Sequence, residues 1–301
     1  MVIDLEKISG LPIQLKDTIC DGQKVWKLTS DIVPKPGKRT LDDIRPMLLD
    51  YSISEPEILY YMYRDVKCPD NVNVIERWGL RYDISIFFPY KLGKEYMKTS
   101  GHYHPYVYDN RLIGFPEVYE VIHGEALFLL QKPNNVWGDK GEVQIEDAIT
   151  LIVKQGQKAI MPPNYGHIAI NRSTTEPLVT SNWVAAAFSS TYWSVERHKG
   201  GAYYFLENEE PKPNDYYITG NHWLPPLRWF QAQDLPQFGL TQDKPMYKSF
   251  LDNPHQFMFL RYPERFVEAL QPDNLFVSFG GNNASSILSL YLLPTGGRPN
   301  S

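Results

Sequence analysis

Four residues carry side chains whose type and spacing could do chemistry: His102, His104, Glu117 and His167. They lie in two stretches, TSGHYHPYVYDNRLIGFPEVYEVIHG and PPNYGHIAIN. Two histidines at i and i+2 project from the same face of an extended strand. A carboxylate and a third imidazole from neighbouring strands would complete a cage of three nitrogens and one oxygen. Zinc, manganese, iron and nickel all accept that donor set. A metal so held can polarise a carbonyl or a hydroxyl of a bound substrate. A His-x-His pair alone is more often two solvated imidazoles on a surface strand. The order of the flanking residues strengthens the metal reading. Glu117 is followed by six residues and Gly124. Gly156 is followed by five residues and Pro162, and His167 by three residues and Asn171.

Such a cage needs strands to hold it. From residue 57 the chain runs in short β-branched and aromatic segments: ILYYMYRDV, LRYDISIFF, VYEVIHG, ALFLLQK, AITLIVK, KAIMP, HIAIN and LVTSNWVAAAF. Gly, Pro, Asn and Asp separate them. This rhythm predicts a closed antiparallel barrel or a double-sheet jelly roll over residues 55–190. Alternation along EVYEVI puts Glu117 and Tyr119 on one face and the rival carboxylate Glu120 on the other. Pro162 and Pro163, with fixed φ, make the entry to His167 rigid. Residues 1–44 form an N-terminal arm in which KVWKLTSDIV reads as a strand. LDDIRPMLLD reads as a helix limited by Pro46. Residues 45–200 are expected to form the barrel, and residues 201–301 an extension of mixed texture whose role the sequence does not declare.

The bulk numbers exclude several classes. A chain of 301 residues can bury a large core. Its net charge of -5 offers no basic footprint for nucleic acid or an anionic membrane. No stretch is apolar enough to span a bilayer, and the start, MVIDLEKISG, has no secretory pattern. A soluble, cytoplasmic chain is therefore expected. Two cysteines, Cys20 and Cys68, make no disulfide framework and lack zinc-site spacing. No GxxxxGK[ST] loop is present, so no nucleotide cradle is indicated.

The two stretches resemble the two-part signature of cupins, His-x-His…Glu-x6-Gly and Gly-x5-Pro…His-x3-Asn. Within cupins, KLGKEYMKTSGHYH, PEVYEVIHGEALFLLQ and MPPNYGHIAIN resemble the cupin-type phosphoglucose isomerases, the archaeal type of glucose-6-phosphate isomerase. The resemblance covers about residues 57–200. It implies a mainly β fold, the cupin double-stranded β-helix or jelly-roll barrel, here with the N-terminal arm and a mixed α/β C-terminal extension. It implies interconversion of glucose 6-phosphate and fructose 6-phosphate, in glycolysis or gluconeogenesis, by a cytoplasmic homodimer carrying a divalent metal (Fe, Mn, Zn or Ni). His102, His104, Glu117 and His167 match the metal ligands, and Glu117 the residue that could also move the proton. Thr99 and the backbone of Gly101 match phosphate-binding positions, and Ser85 matches a threonine on the preceding strand. Tyr60 and Tyr119 match substrate-contacting tyrosines.

The chain departs from that pattern in two places. Pro105–Pro116 puts twelve residues between His104 and Glu117, a longer connection than the family usually has. Asn164 stands where cupins in general have glycine. Each substrate residue also has a plainer reading: Tyr60 as packing, Ser85 as strand filler, Thr99 and Gly101 as the turn into the His-x-His segment. His123 and His198 read as surface histidines, and Asn171 as the closure of a strand end. Two other functions remain open on sequence alone. One is another metal-dependent cupin enzyme, a dioxygenase or an isomerase of a different sugar phosphate. The other is a non-catalytic sugar-binding cupin whose last hundred residues cap the barrel mouth or recruit a partner.

Overall fold

The computed structural model describes residues 2–107, 113–138, 142–218, 220 and 222–279. The N-terminal arm contributes β1 (Val2–Asp4), β2 (Gln14–Cys20), β3 (Gln23–Thr29) and β4 (Gly37–Thr40). The barrel segment contributes β5 (Ile58–Tyr63), β6 (Leu80–Phe87), β7 (Lys91–Leu92), β8 (Glu95–Lys98), β9 (Glu117–His123) and β10 (Glu125–Pro133). It continues with β11 (Ile145–Lys154), β12 (Lys158–Met161), β13 (Gly166–Asn171) and β14 (Leu178–Ala185). After residue 200 come β15 (Tyr203–Tyr204), β16 (Lys212–Pro213), β17 (Arg228–Ala232) and β18 (Phe276–Ser278).

The strands assemble into two main sheets. One runs β18-β17-β11-β10-β13-β8-β7, the other β12-β9-β14-β6-β5-β4. Within the barrel segment every ladder is antiparallel, as short strands joined by tight turns require. The fold is mainly β and of the jelly-roll kind, as the strand rhythm indicates. Side chains alternate between the enclosed space and the outer faces. Val118, Phe128, Leu130, Ile160 and Trp183 are all fully or almost fully buried. LDDIRPMLLD forms the short helix Leu41–Ile44 followed by a 3-10 turn at Arg45–Met47, where Pro46 interrupts the α-helical ladder.

The segment after residue 200 is continuous with the barrel. β17 adds to β11 in parallel register and β18 adds to β17. Residues 246–252 form a helix across the outer face of the second sheet, where Trp183 stacks on Tyr247 at 5.8 Å and meets Phe250 at 4.4 Å. Tyr82 closes the same aromatic cluster against Trp183 and Tyr247. Removing Trp183 would leave a void of aromatic size, a loss of ~3–5 kcal/mol. The residues described after position 200 therefore seal the back of the sheet that carries Glu117. At the other end, β4 pairs with β5, so the arm too is hydrogen-bonded into the barrel. The end of the extension, residues 280–301, lies outside the described residues. No helix among those described is long and apolar enough to cross a membrane.

Two positions fix the backbone around the His-x-His segment. Gly101 has φ 76, and a Cβ there would meet Ile168 Cγ1 at 2.6 Å, so only glycine fits. Gly166 lies against the Tyr103 ring, where any side chain would collide. Between them, His102 and His167 form an isolated antiparallel bridge, with His102 N donating to His167 O at 3.3 Å and His167 N to His102 O at 3.1 Å. The His-x-His segment is thus a short bridged run laid on the start of β13.

Candidate metal centre

Three backbone segments deliver the four residues to the centre: the bridged run with His102 and His104, the start of β9, and the turn into β13. Glu117 opens β9, and its alternation with Tyr119 faces both inward. The turn Pro162–Asn164 delivers His167. Asn164 has φ 69, the left-handed region that favours glycine and tolerates asparagine, which accounts for the departure at this position. Asn164 Oδ1 accepts a hydrogen bond from Gly114 N at 2.7 Å. The long connection after His104 closes on itself through Val107 N to Ile113 O at 2.9 Å and Phe115 N to Pro105 O at 3.1 Å. Residues 108–112 of it lie outside the described residues. Its return end orients a ligand: His104 Nδ1 lies 2.9 Å from the Phe115 carbonyl. A carbonyl only accepts, so Nδ1 carries a proton and Nε2 is the nitrogen that faces the cluster.

The four ligand atoms lie within 4.8 Å of one another. Glu117 Oε2 is 3.1 Å from His167 Nε2, 3.2 Å from His104 Nε2 and 3.9 Å from His102 Nε2. The Nε2 atoms of His102 and His104 are 3.1 Å apart. Two donor atoms each about 2.1 Å from one metal ion would lie no more than ~4.2 Å apart, a limit that these four individual distances meet. Oε2 of Glu117 is buried and makes no hydrogen bond, an arrangement that is costly unless a cation compensates it. The residues present fit a divalent metal.

The electrostatics agree. Burial and the neighbouring His167 push His102 down to about 3. Burial likewise lowers His167. Both rings are therefore neutral near pH 7, the form that ligates. Burial alone would disfavour charge on Glu117, but the contacts with His102, His104 and His167 outweigh it and hold the carboxyl well below its usual range.

The cluster lines a cavity of about 310 Å³. Tyr60, Ser85, Thr99, Gly101 and Tyr119 line the same cavity, so the structure brings every site residue of the sequence analysis together. Tyr119 Oη is 3.4 Å from His167 Nε2. Thr99 Oγ1 accepts from Ala169 N at 3.1 Å, so this hydroxyl also helps pair the turn to β13. Glu120 points away from the cavity. It meets Lys158 Nζ at 2.9 Å and accepts from Met246 N at 3.1 Å.

The histidines outside the motif need correcting. His198 is wholly buried rather than on the surface, stacked on Tyr217 at 4.5 Å with its Nδ1 2.7 Å from the Ser194 carbonyl. His123 is only partly exposed and lies 3.6 Å from Glu176. Asn171 closes its strand end as expected, its amide donating to Glu176 O at 3.1 Å.

Several cavity residues were missed. Arg64, Arg81, Asn182 and Tyr192 all line it, with the Tyr192 ring 5.5 Å from that of His102. Alternation from Ser85 along β6 places Asp83 and Arg81 on the same face, and alternation from Tyr60 reaches Arg64. That signal was present in LRYDISIFF and ILYYMYRDV. Tyr192 lies beyond the last strand of the sheet, where no periodicity points to it.

A family model described as glucose-6-phosphate isomerase (GPI) matches residues 39–218. A glucose-6-phosphate isomerase of Thermococcus gammatolerans (strain DSM 15229 / JCM 11827 / EJ3) is 26% identical over 164 residues, covering 52% of this chain and 74% of the relative. Among solved structures, vicilin from Corylus avellana (hazelnut) matches with a TM-score of 0.30 and 16% identity, over 46% of this chain and 33% of that one. Recombinant oxalate oxidase in complex with glycolate matches with a TM-score of 0.26 and 16% identity, over 38% of this chain and 45% of that one. The chain spans less than half the length of either structure. With the family model covering more than half of it, and the two-part motif converging on one centre, the chain belongs to the glucose-6-phosphate isomerase family, of the cupin type.

Proposed function

We propose that the chain interconverts glucose 6-phosphate and fructose 6-phosphate, using a divalent metal (Fe, Mn, Zn or Ni) held by His102, His104, Glu117 and His167. The observation that carries the reading is the convergence of these four ligand atoms within 4.8 Å in a cavity also walled by Tyr60, Ser85, Thr99, Gly101 and Tyr119. When bound, the metal would polarise the sugar's C1 and C2 oxygens and stabilise negative charge developing on them.

The residues then divide the work. In one route a carboxylate takes the proton from C2 of the open-chain aldose, the C1–C2 enediol forms, and the same group returns the proton to C1. A second proton passes from the C2 oxygen to the C1 oxygen, so the exchange balances. Glu117 has the charge state for this, since its surroundings keep it ionised. In the other route hydrogen moves from C2 to C1 as hydride, a proton again passes from the C2 oxygen to the C1 oxygen, and Glu117 serves as ligand alone. Deuterium from solvent appears at C1 of the product only in the first.

Tyr60 and Tyr119 present hydroxyls to the sugar chain, and Ser85, Thr99 and the Gly101 backbone offer neutral hydrogen-bond donors to its phosphate. The resemblance also supports a cytoplasmic homodimer. Ile19 on β2 is 67% exposed, and an apolar side chain there suits a contact made by the arm. Sedimentation of the purified chain as a monomer at micromolar concentration would remove the dimer. A coupled assay of fructose 6-phosphate turnover, run with elemental analysis, tests the activity and identifies the metal.

A further inference from the structure

One wall of the cavity carries more positive charge than its structural contacts consume. Asp83, 1% exposed, is the carboxylate between Arg64 and Arg81. Its Oδ2 accepts from Arg64 Nη1 at 2.5 Å, and its Oδ1 from Arg81 Nε at 2.9 Å and from Asp65 N at 2.9 Å. One carboxylate thus answers two guanidinium groups. Both arginines line the cavity, with side chains 48% and 30% exposed. Among the described residues, Arg64 Nη2 meets only the Met62 thioether, at 3.4 Å. Arg81 binds Asp83 through Nε, and no hydrogen bond to a described residue takes up its two Nη groups. Beside them Asn182, 2% exposed, lines the cavity with an Nδ2 that has no hydrogen-bond partner among the described residues.

The strand register places this wall relative to the metal ligands. Val184 on β14 pairs with Arg81 on one side and with Glu117 on the other. In the next inward row, Asn182 pairs with Asp83 and Tyr119. Two strand spacings, ~10 Å, therefore separate the backbones of Arg81 and Glu117. A sugar phosphate with its C1 and C2 oxygens at the metal ligands spans that gap. A phosphate entering the cavity loses water, and a planar guanidinium replaces that hydration better than neutral hydroxyls do.

We propose that Arg64 and Arg81, braced by Asp83 and flanked by Asn182, form the charged seat for the phosphate of the substrate. The seat supplements the neutral donors Ser85, Thr99 and Gly101, and its assignment to the substrate's phosphate rests on the isomerase reading of the metal end. Arg64 and Arg81 are specificity-determining residues: they hold the far end of the molecule and leave the reacting carbons to the metal ligands.

The test uses metal-loaded full-length protein. In Arg81→Met the pair Arg64–Asp83 stays charge-balanced, so the fold should survive. Losing one guanidinium should raise KM for fructose 6-phosphate ~10- to 100-fold, with kcat changed only a few-fold. Inorganic phosphate, titrated calorimetrically, should bind more weakly by a similar factor. Arg81→Lys should recover part of both, which a merely structural brace would not do. Arg81→Gln, which keeps a polar group in the wall, replaces Arg81→Met if that variant unfolds. An unchanged KM together with unchanged phosphate binding in a folded, metal-loaded variant would overturn the seat. If the wild-type protein does not turn over fructose 6-phosphate, the isomerase reading fails. The phosphate titration then still decides the seat, since weaker binding in the variant supports it and equal binding removes it.

Discussion

Glu117 and Glu120 sit three residues apart on β9, both buried, and do opposite jobs. Glu117 faces the cavity and three imidazoles. Glu120 faces the helix at residues 246–252, with Lys158 and the Met246 amide as partners. Lys158 Nζ also donates to Gly156 O at 2.7 Å and Thr241 O at 2.8 Å. That pair pins the C-terminal segment to the back of the sheet. The histidines hold Glu117 ionised, whereas burial pushes Glu120 up to about 7 despite Lys158. Strand alternation, and not residue type or burial, decides which carboxylate is available for chemistry.

The sharpest way to break this contrast is to remove each charge in turn. Glu117→Gln should lower kcat by ~10³-fold or more if the carboxylate moves the proton as well as ligating, measured in the coupled fructose 6-phosphate assay. Glu120→Gln should leave kcat within a few-fold of wild type. Substantial turnover in Glu117→Gln, or its loss in folded Glu120→Gln, would erase the distinction.

Stability should separate the pair as well. Burial disfavours the charged form of Glu120, and Lys158 keeps the Gly156 and Thr241 carbonyls without it. Denaturant melts at pH 7 should therefore find Glu120→Gln at least as stable as wild type.

The pH dependence is a smaller effect with a definite sign. Glu120 titrates at about 7 when folded against a model value of 4.5, so its charged form is disfavoured by folding. Its contribution is most favourable below the unfolded value and is lost as pH rises through the window from 4.5 to about 7. The loss is at most roughly 3 kcal/mol. Between pH 5 and pH 7 wild type should therefore lose stability relative to Glu120→Gln. An unchanged difference between the two melts would contradict the assignment of burial as the cause.

The same geometry explains what could be read from the sequence. The motif residues His102, His104, Glu117 and His167 were legible because the turns that position them use fixed-φ prolines and short strands, which leave local marks. The choice of Glu117 over Glu120 followed from alternation, which the sheet obeys. Arg64 and Arg81 were equally accessible to that rule, but nothing in their own segments resembles a motif. The packing of the C-terminal segment was not legible. β17 joins β11 across roughly 80 residues of chain, as in Ile149 against Arg228, and neither strand announces the other. His198 was misread because VERHKGG looks polar, while Tyr217 and Asn214, which bury it, come from the following loop.

The central claim is that metal held by these four residues drives sugar-phosphate isomerisation. The direct measurement is fructose 6-phosphate turnover by one purified sample as isolated, after chelation verified by elemental analysis, and after metal is restored. The account predicts turnover that disappears with the metal and returns with it, and neither retention nor return in His102→Ala combined with His104→Ala. Full turnover in verified metal-free protein would contradict it.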